Sequence, residues 1–467
     1  MLWRYFLELQ QFFHKRQSRR SILRQFGMLT GMALTLDACD PFATQVSDTT
    51  LKTRRRNLQA KRDARPFATQ VSDTTLKGVS DYIQHVIIAC QENHSFDEYF
   101  GYYPKAGKFG VPSNYSQPDG KGGIIKPYHF TSPVSQDPNH FWYDIHREWN
   151  NGAMNGFFAN GYNTLGYYDG SDLKYYYALA DSFTLCGNYF CSVLGPTVPN
   201  RLTLVSGTCG GTCLDEISAG SLDYPTIVDL LDAHNITWKC YNLGLGTGST
   251  ASEHYNPLTF FKKWQNDPRL QFKEDDYYMA LHAGTLPLVS FLITEGPVSE
   301  HPPQDIQKGQ KKMSQVINAL ISSSAWKSSA LFFTYDEAGG FFDHVVPPRL
   351  DAYGLGFRVP MLVISPFVKR GYISGQLFEH SSILKFIERR FRLPSLASIN
   401  HQFDTSTPIK NNKAAVKGQS YGPPSSPRDG LSKIGDFYDI FDFPQDANYY
   451  PSLPSLSLIS NSKANVK

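Results

Sequence analysis

Two polar clusters and one rigid turn carry the residue types from which chemistry could be built. The first cluster is Gln91-Glu92-Asn93-His94-Ser95-Phe96-Asp97, and the second is Asp336-Glu337-Ala338-Gly339-Gly340-Phe341-Phe342-Asp343-His344. Each follows directly on a short apolar run, 85–90 and 330–335, of the kind that forms a strand buried on both faces. Carboxylate and amide oxygens delivered from adjacent strand ends can converge on one hard cation. Either cluster alone would read as helix capping or a loop; two with the same placement read as a site. Gly339 and Gly340 would let the backbone turn back so that Asp343 and His344 face the same pocket. The turn is Gly195-Pro196-Thr197-Val198-Pro199-Asn200-Arg201. A hydroxyl held there, at a helix N-terminus and beside a cation, is suited to attack phosphorus. The cation lowers the hydroxyl pKa and backbone N–H groups stabilise the phosphoryl oxygens. By itself the segment would serve equally as a structural turn with a threonine cap.

These residues need a scaffold, and the hydrophobic pattern describes one. Further apolar runs at 238–241, 286–293 and 359–364 alternate with helical patterns at 226–234, 305–326 and 381–391. Strands alternating with helices imply an α/β fold, a mostly parallel sheet sandwiched between helices, whose ligands bind beyond the carboxyl ends of the strands. The stretch 102–178, rich in Gly, Asn and Tyr, lacks this alternation and reads as a loop-rich insertion at one end of the sheet. Tyr162, Tyr167, Tyr168, Tyr175, Tyr176 and Tyr177 within it could cage a cationic group by cation–π attraction, although ordinary packing is the preferred reading.

The 467 residues carry a net charge of +3, unevenly spread: residues 1–65 hold +8 and the rest −5. A mildly acidic body argues against a nucleic-acid partner. Arg19–Arg20, an apolar stretch over 26–36 and the segment Leu36-Asp37-Ala38-Cys39 follow the order of a bacterial twin-arginine signal with a lipoprotein box. The expectation is export through the twin-arginine machinery to the cell envelope or beyond, with Cys39 as the lipidated residue. The twelve residues at 41–52 recur at 66–77, which makes 40–79 a flexible tether after the signal at 1–39. The catalytic domain is expected over 80–398 and a Pro-rich wrapping tail over 399–467. Six further cysteines permit disulfides or stand as free buried thiols. No Gly-x-Ser-x-Gly, P-loop or His-Glu-x-x-His motif occurs.

The stretch Glu92-Asn93-His94-Ser95-Phe96-Asp97-Glu98-Tyr99-Phe100-Gly101 resembles the signature of the bacterial phosphoesterases that include phosphatidylcholine-type phospholipases C and certain acid phosphatases. The resemblance continues, in family order, through Asp137-Pro138-Asn139-His140, Met154-Asn155-Gly156-Phe157, the turn at 195–201, Glu300-His301-Pro302-Pro303, 334–344, Gly356-Phe357-Arg358-Val359-Pro360 and 380–388. It implies an alkaline-phosphatase-like fold. It places Thr197 as the nucleophile, and Glu92, Asn93, Asp336 and Glu337 with Thr197 as holders of one divalent ion. Their oxygen-rich chemistry suggests Ca²⁺, Mg²⁺ or Mn²⁺ rather than Zn²⁺. It further places His140 and His301 around the phosphoryl group, His344 as a proton donor to the leaving group, and Asn200 and Asp343 at the substrate. The implied activity is phospholipase C-type cleavage of a phospholipid headgroup through a phosphothreonine. The alternatives are an acid phosphatase acting on monoesters and, in a different class, a surface lipoprotein that binds phosphate ligands without turnover.

Overall fold

The computed structural model describes residues 72–244, 255–403, 425–443 and 445–456. Chain contacts separate 1–65 from 66–467, and all described residues lie in the second unit. The signal, Cys39 and most of the expected tether therefore lie outside the described residues.

The eight strands of the main sheet, in chain order, are β1 (His85–Gln91), β2 (Thr184–Cys186), β3 (Trp238–Leu243), β4 (Phe272–Lys273), β5 (Val289–Thr294), β6 (Ser329–Tyr335), β7 (Met361–Ile364) and β8 (Tyr372–Ser374). Their spatial order is β8-β2-β7-β6-β1-β5-β3-β4. All run in one direction except β7, which is antiparallel to both neighbours, β6 and β2. The five central strands are the runs read from the sequence, and they are mostly apolar and almost wholly buried because both sheet faces are covered. Each fully buried Val, Ile, Leu or Phe contributes about 1.5–3 kcal/mol from burial.

The helices relevant to the site are α1 (Asp73–Tyr82), α2 (Phe96–Phe100), α3 (Trp142–Trp149), α4 (Lys174–Ser182), α5 (Thr197–Ser206), α6 (Ile227–Ala233), α7 (Glu274–Ala283), α8 (Ile306–Ile321) and α9 (His380–Phe391). The apolar positions of α8, Ile306, Met313, Val316, Ile317 and Leu320, are all buried. The folded body starts earlier than the expected tether end at 79. Ser72 caps α1 by accepting from the Thr75 N–H, and Leu76, Val79 and Ile83 pack into the core.

The insertion is indeed short helices, 3₁₀ turns and two-residue ribbons. Four of its six tyrosines belong to the packed interior, and Tyr162 and Tyr167 stack on Tyr128 and Tyr102. Tyr168, Tyr175, Tyr176 and Tyr177 are core residues, with the Tyr176 hydroxyl donating to Glu300 and the Tyr175 hydroxyl to Asn318. All six described cysteines are buried thiols outside any disulfide. No described helix is long and apolar enough to cross a membrane. The described part of the tail lies on the core: Phe437 and Phe441 are buried, and the Trp326 indole N–H donates to the Tyr449 carbonyl.

Candidate active site at the carboxyl ends of two adjacent strands

Strands β1 and β6 are parallel neighbours in a register that sets Gln91 beside Tyr335. Glu92 and Asp336, the next residues, therefore leave the sheet side by side. Both strands turn sharply here. Asn93 takes a left-handed conformation (φ 66°), which asparagine tolerates better than most residues. Ser95 then caps α2 by accepting from the Glu98 N–H at 3.1 Å. On the other side Gly339 is also left-handed (φ 64°), and a Cβ there would stand 2.3 Å from the Asn93 carbonyl oxygen. That close approach fixes glycine at 339 and locks the two turns together.

Three of the expected cation holders share one pattern: each has one polar atom anchored and the other orphaned. Glu92 Oε1 accepts from Arg201 Nη2 at 2.8 Å, Asn93 Nδ2 donates to His140 Nε2 at 3.1 Å, and Glu337 Oε2 accepts from the Gly339 N–H at 2.7 Å. Their partners within each side chain, Glu92 Oε2, Asn93 Oδ1 and Glu337 Oε1, are buried without a hydrogen bond. A buried orphaned oxygen costs about 1–3 kcal/mol, a cost that a cation held at these strand ends would relieve. Asp336 differs. Its Oδ1 accepts from the Asn93 and Glu337 N–H groups, whereas its Oδ2, accepting only from Arg201 Nε at 2.9 Å, keeps a lone pair that an ion could use.

Burial raises the pKa of Glu92; Arg201 opposes that shift, while Asp336, Glu337 and Asp215 add to it. Burial likewise raises Glu337, against the charge of His140 and with that of Asp336. A cluster of carboxylates this hard to ionise gains most from a bound positive charge. His140 sits at the same confluence. Burial works against its imidazolium, but the Asp137 hydrogen bond and the charges of Glu337 and Asp137 outweigh it and hold the pKa up at about 10. The Asn93 amide, however, donates to Nε2 and requires that nitrogen unprotonated, with Nδ1 donating to the Pro138 carbonyl at 2.8 Å. The neutral ring is therefore the form that belongs to a site whose acidic charge is balanced.

His301 lies against His140, ring centroids 5.4 Å apart, and its Nδ1 donates to the Pro302 carbonyl. Asp137, His140 and His301 offer ligand atoms within 4.8 Å of one another, a group able to hold a metal. The preceding residue, Glu300, is left-handed (φ 68°) and accepts from Tyr99, Tyr176, Tyr335 and Gln91. That grip sets where His301 emerges.

Thr197 opens α5 and is buried. Arg201, one turn along the same helix, is the residue that ties α5 to the strand ends. Its guanidinium bridges Glu92 and Asp336 and also donates to the Tyr255 and Gln91 carbonyls. The expected substrate contact of Asn200 is not what the structure shows. Its carboxamide accepts from the Val193 N–H and donates to the carbonyls of Val193, Gly195 and Pro196, so it is used up in holding the turn before Thr197. Asp343 and His344 do come together, their ligand atoms within 4.8 Å of each other and of Asp97, but both are already engaged. Asp343 pairs with Arg358 at 3.0 Å, and His344 Nδ1 donates to Asp97 Oδ2 at 2.6 Å, while Arg358 also binds Asp97. Arg358, in the Gly-Phe-Arg-Val-Pro stretch, draws both acids into a separate charged cluster.

Three residues of the site were not singled out from the sequence: Arg201, Asp215 and His380. His380, at the start of α9, donates from Nε2 to the Asp336 carbonyl at 2.7 Å and accepts at Nδ1 from the Tyr189 hydroxyl. Burial lowers its pKa to about 4, so it is a neutral brace. The general signal for Arg201 was arithmetic: acids that must be buried together need a buried cation.

Comparison with known proteins adds the following. The Phosphoesterase family matches residues 83–394. The chain is 30% identical over 453 residues to the non-hemolytic phospholipase C of Burkholderia pseudomallei, covering 80% of this chain and 61% of that protein. It is 32% identical over 389 residues to the hemolytic phospholipase C of Pseudomonas aeruginosa, covering 67% and 53%. It is 32% identical over 384 residues to phospholipase C B of Mycobacterium tuberculosis, covering 67% and 74%. The chain thus spans roughly half to three-fifths of the length of the first two relatives. Among solved structures, a protein in the alkaline phosphatase superfamily from Vibrio parahaemolyticus is similar at a TM-score of 0.36 and 11% identity, covering 73% of this chain and 75% of that one, a likeness too slight to bear on the site.

Proposed function

Since the chain belongs to the Phosphoesterase family, we propose that it hydrolyses phosphoric esters and that its substrate is a phospholipid, cleaved between glycerol and phosphate in the manner of a phospholipase C. The observation that carries this reading is the set of three half-anchored side chains, Glu92, Asn93 and Glu337, each with one orphaned oxygen, at the strand ends to which Arg201 ties the Thr197 helix. An all-oxygen donor set suits Ca²⁺, Mg²⁺ or Mn²⁺ rather than Zn²⁺. Glu92, Asn93, Asp336 and Glu337 with the Thr197 hydroxyl would hold the ion, and its positive charge would lower the hydroxyl pKa and offset phosphoryl charge. The phospholipase C relatives support the lipid substrate.

The chain's own residues then divide the work. The Thr197 oxygen attacks phosphorus in line as the bond to the leaving oxygen breaks, giving a phosphothreonine that water hydrolyses. Arg201 and His380 fix Asp336. His301, beside His140 and Asn93, is placed to give a proton to the leaving oxygen; His344 is committed to Asp97. A proton donor matters most for a poor leaving group. His301→Ala is therefore expected to lower kcat about 10²-fold on an alkyl ester such as a glycerophospholipid, and much less on a nitrophenyl ester. Equal losses on both would take the proton from His301.

The activity itself is tested on phosphatidylcholine vesicles and on nitrophenyl phosphate, with and without chelator. The expected result is release of phosphorylcholine, lost with chelator and restored by Ca²⁺, Mg²⁺ or Mn²⁺. Hydrolysis of the monoester alone makes the protein an acid phosphatase. Export by the twin-arginine machinery, with anchoring of Cys39 at the membrane surface, belongs to the same proposal. It is supported by the order of charge, apolar run and small-residue site over 15–39.

A further inference from the structure

The helix that begins with Thr197 already carries an anion at its start. The first N–H groups of a helix have no intrahelical acceptor, and Pro199 removes one of the donors that α5 would otherwise offer. The Val198 N–H, next to the nucleophile, donates to Asp215 Oδ1 at 2.7 Å. Asp215 reaches that point by a return of the chain. α5 ends at Gly207, left-handed at φ 72°, and the next eight residues run back along a helix about 15 Å long. Gly210 and Gly211, also left-handed, and the buried Cys209 and Cys213 shape that return. Asp215 itself is half-buried, and its charge reaches both Glu92 and Glu337.

A carboxylate oxygen on this amide has the charge and the donor that a phosphoryl oxygen would require there. Its charge is opposed by the acids Glu92 and Glu337, two of the side chains with a buried orphaned oxygen. Resting on the assignment of Thr197 as nucleophile, we propose that Asp215 is a built-in stand-in for phosphate: it holds the Val198 N–H between turnovers and gives it up to the incoming phosphoryl oxygen. Asp215 thereby sets how tightly phosphate esters and inorganic phosphate bind.

The probe is inorganic phosphate, applied to the full chain. Its inhibition constant is measured against nitrophenyl phosphate, and its thermal stabilisation of the protein is followed in a Thr197→Ala background, where the Val198 amide remains. Asp215→Ala is expected to tighten phosphate about tenfold in both readouts and to lower KM for the ester. Asp215→Asn, which keeps the size and one acceptor, is expected to tighten it about threefold and serves if the alanine variant folds poorly. Phosphate binding that is unchanged or weaker overturns the proposal, since a carboxylate that positions Thr197 or a cation gives that result. Wild-type turnover by Thr197→Ala alone would instead remove the nucleophile, so the two failures are distinguishable.

Discussion

Thr197→Ala is expected to lower kcat by about 10⁴-fold or more and to leave the fold intact. The magnitude follows from chemistry: without the oxygen there is no phosphothreonine, and what remains is binding and electrostatic stabilisation of direct attack by water. The fold is expected to survive because α5 is held by other groups. Asn200 secures the preceding turn, Asp215 caps Val198, Arg201 anchors the helix to Glu92 and Asp336, and Gly207 ends it. Alanine also suits the first turn of a helix. Thr197→Ser retains the hydroxyl and is expected to keep activity within about tenfold. The decisive measurement is a rapid acid quench during turnover. Phosphate should be trapped on wild type and on Thr197→Ser, and on Thr197→Ala not at all. Trapped phosphate on the alanine variant, or undiminished turnover, would place the nucleophile elsewhere.

The sequence showed the strands that lie deepest and the residues at their ends, because both are local facts. A strand covered on both faces is apolar at most positions, so β1 and β6 stand out, and the polar clusters that follow them stand out with them. The reversed direction of β7 was less visible, since four apolar residues look the same either way. The signal lay in what separates it from β6. No helical pattern occupies 336–360, and without a crossover helix a neighbouring strand returns antiparallel. Strands β2, β4 and β8, of two or three residues, are too short to show a period. In the site, the holders were legible and their partners were not. Glycines 339 and 340 do turn the backbone, but Arg358 decides where Asp343 and His344 go, and its contact with them spans a fold that no spacing encodes. Asp215 follows the same rule: it belongs to no motif, yet one hydrogen bond ties it to Val198.

Arg201 is the other side chain whose loss should be felt most, and the expected result has a pH and cation signature. Its guanidinium is fully buried between Glu92 and Asp336, at 2.8 and 2.9 Å, both of them buried acids. Replacing it by methionine, similar in length and uncharged, leaves two carboxylates without their counter-charge. Breaking a buried ion pair from one side costs about 3–5 kcal/mol, enough to lower Tm by many degrees. The two carboxylates can recover in only two ways, by binding protons or by binding a cation. Glu92 is already raised by burial with Arg201 opposing, so in Arg201→Met the folded pKa rises further above the unfolded value. The folded state then binds more protons than the unfolded one, and stability is lost as pH rises through neutrality and regained as it falls toward the unfolded carboxylate pKa of about 4.3. The Tm deficit of Arg201→Met should accordingly be larger at pH 8 than at pH 5, and should shrink at pH 8 when Ca²⁺, Mg²⁺ or Mn²⁺ is added, by mass action on the folded state. Activity should fall about 10²-fold even in saturating cation, because Glu92 and Asp336 lose the fork that orients them. Arg201→Lys, which keeps the charge and loses the planar fork, should recover more stability than activity. A Tm deficit indifferent to both pH and cation would reduce Arg201 to packing, and with it the claim that these strand ends are built to hold positive charge.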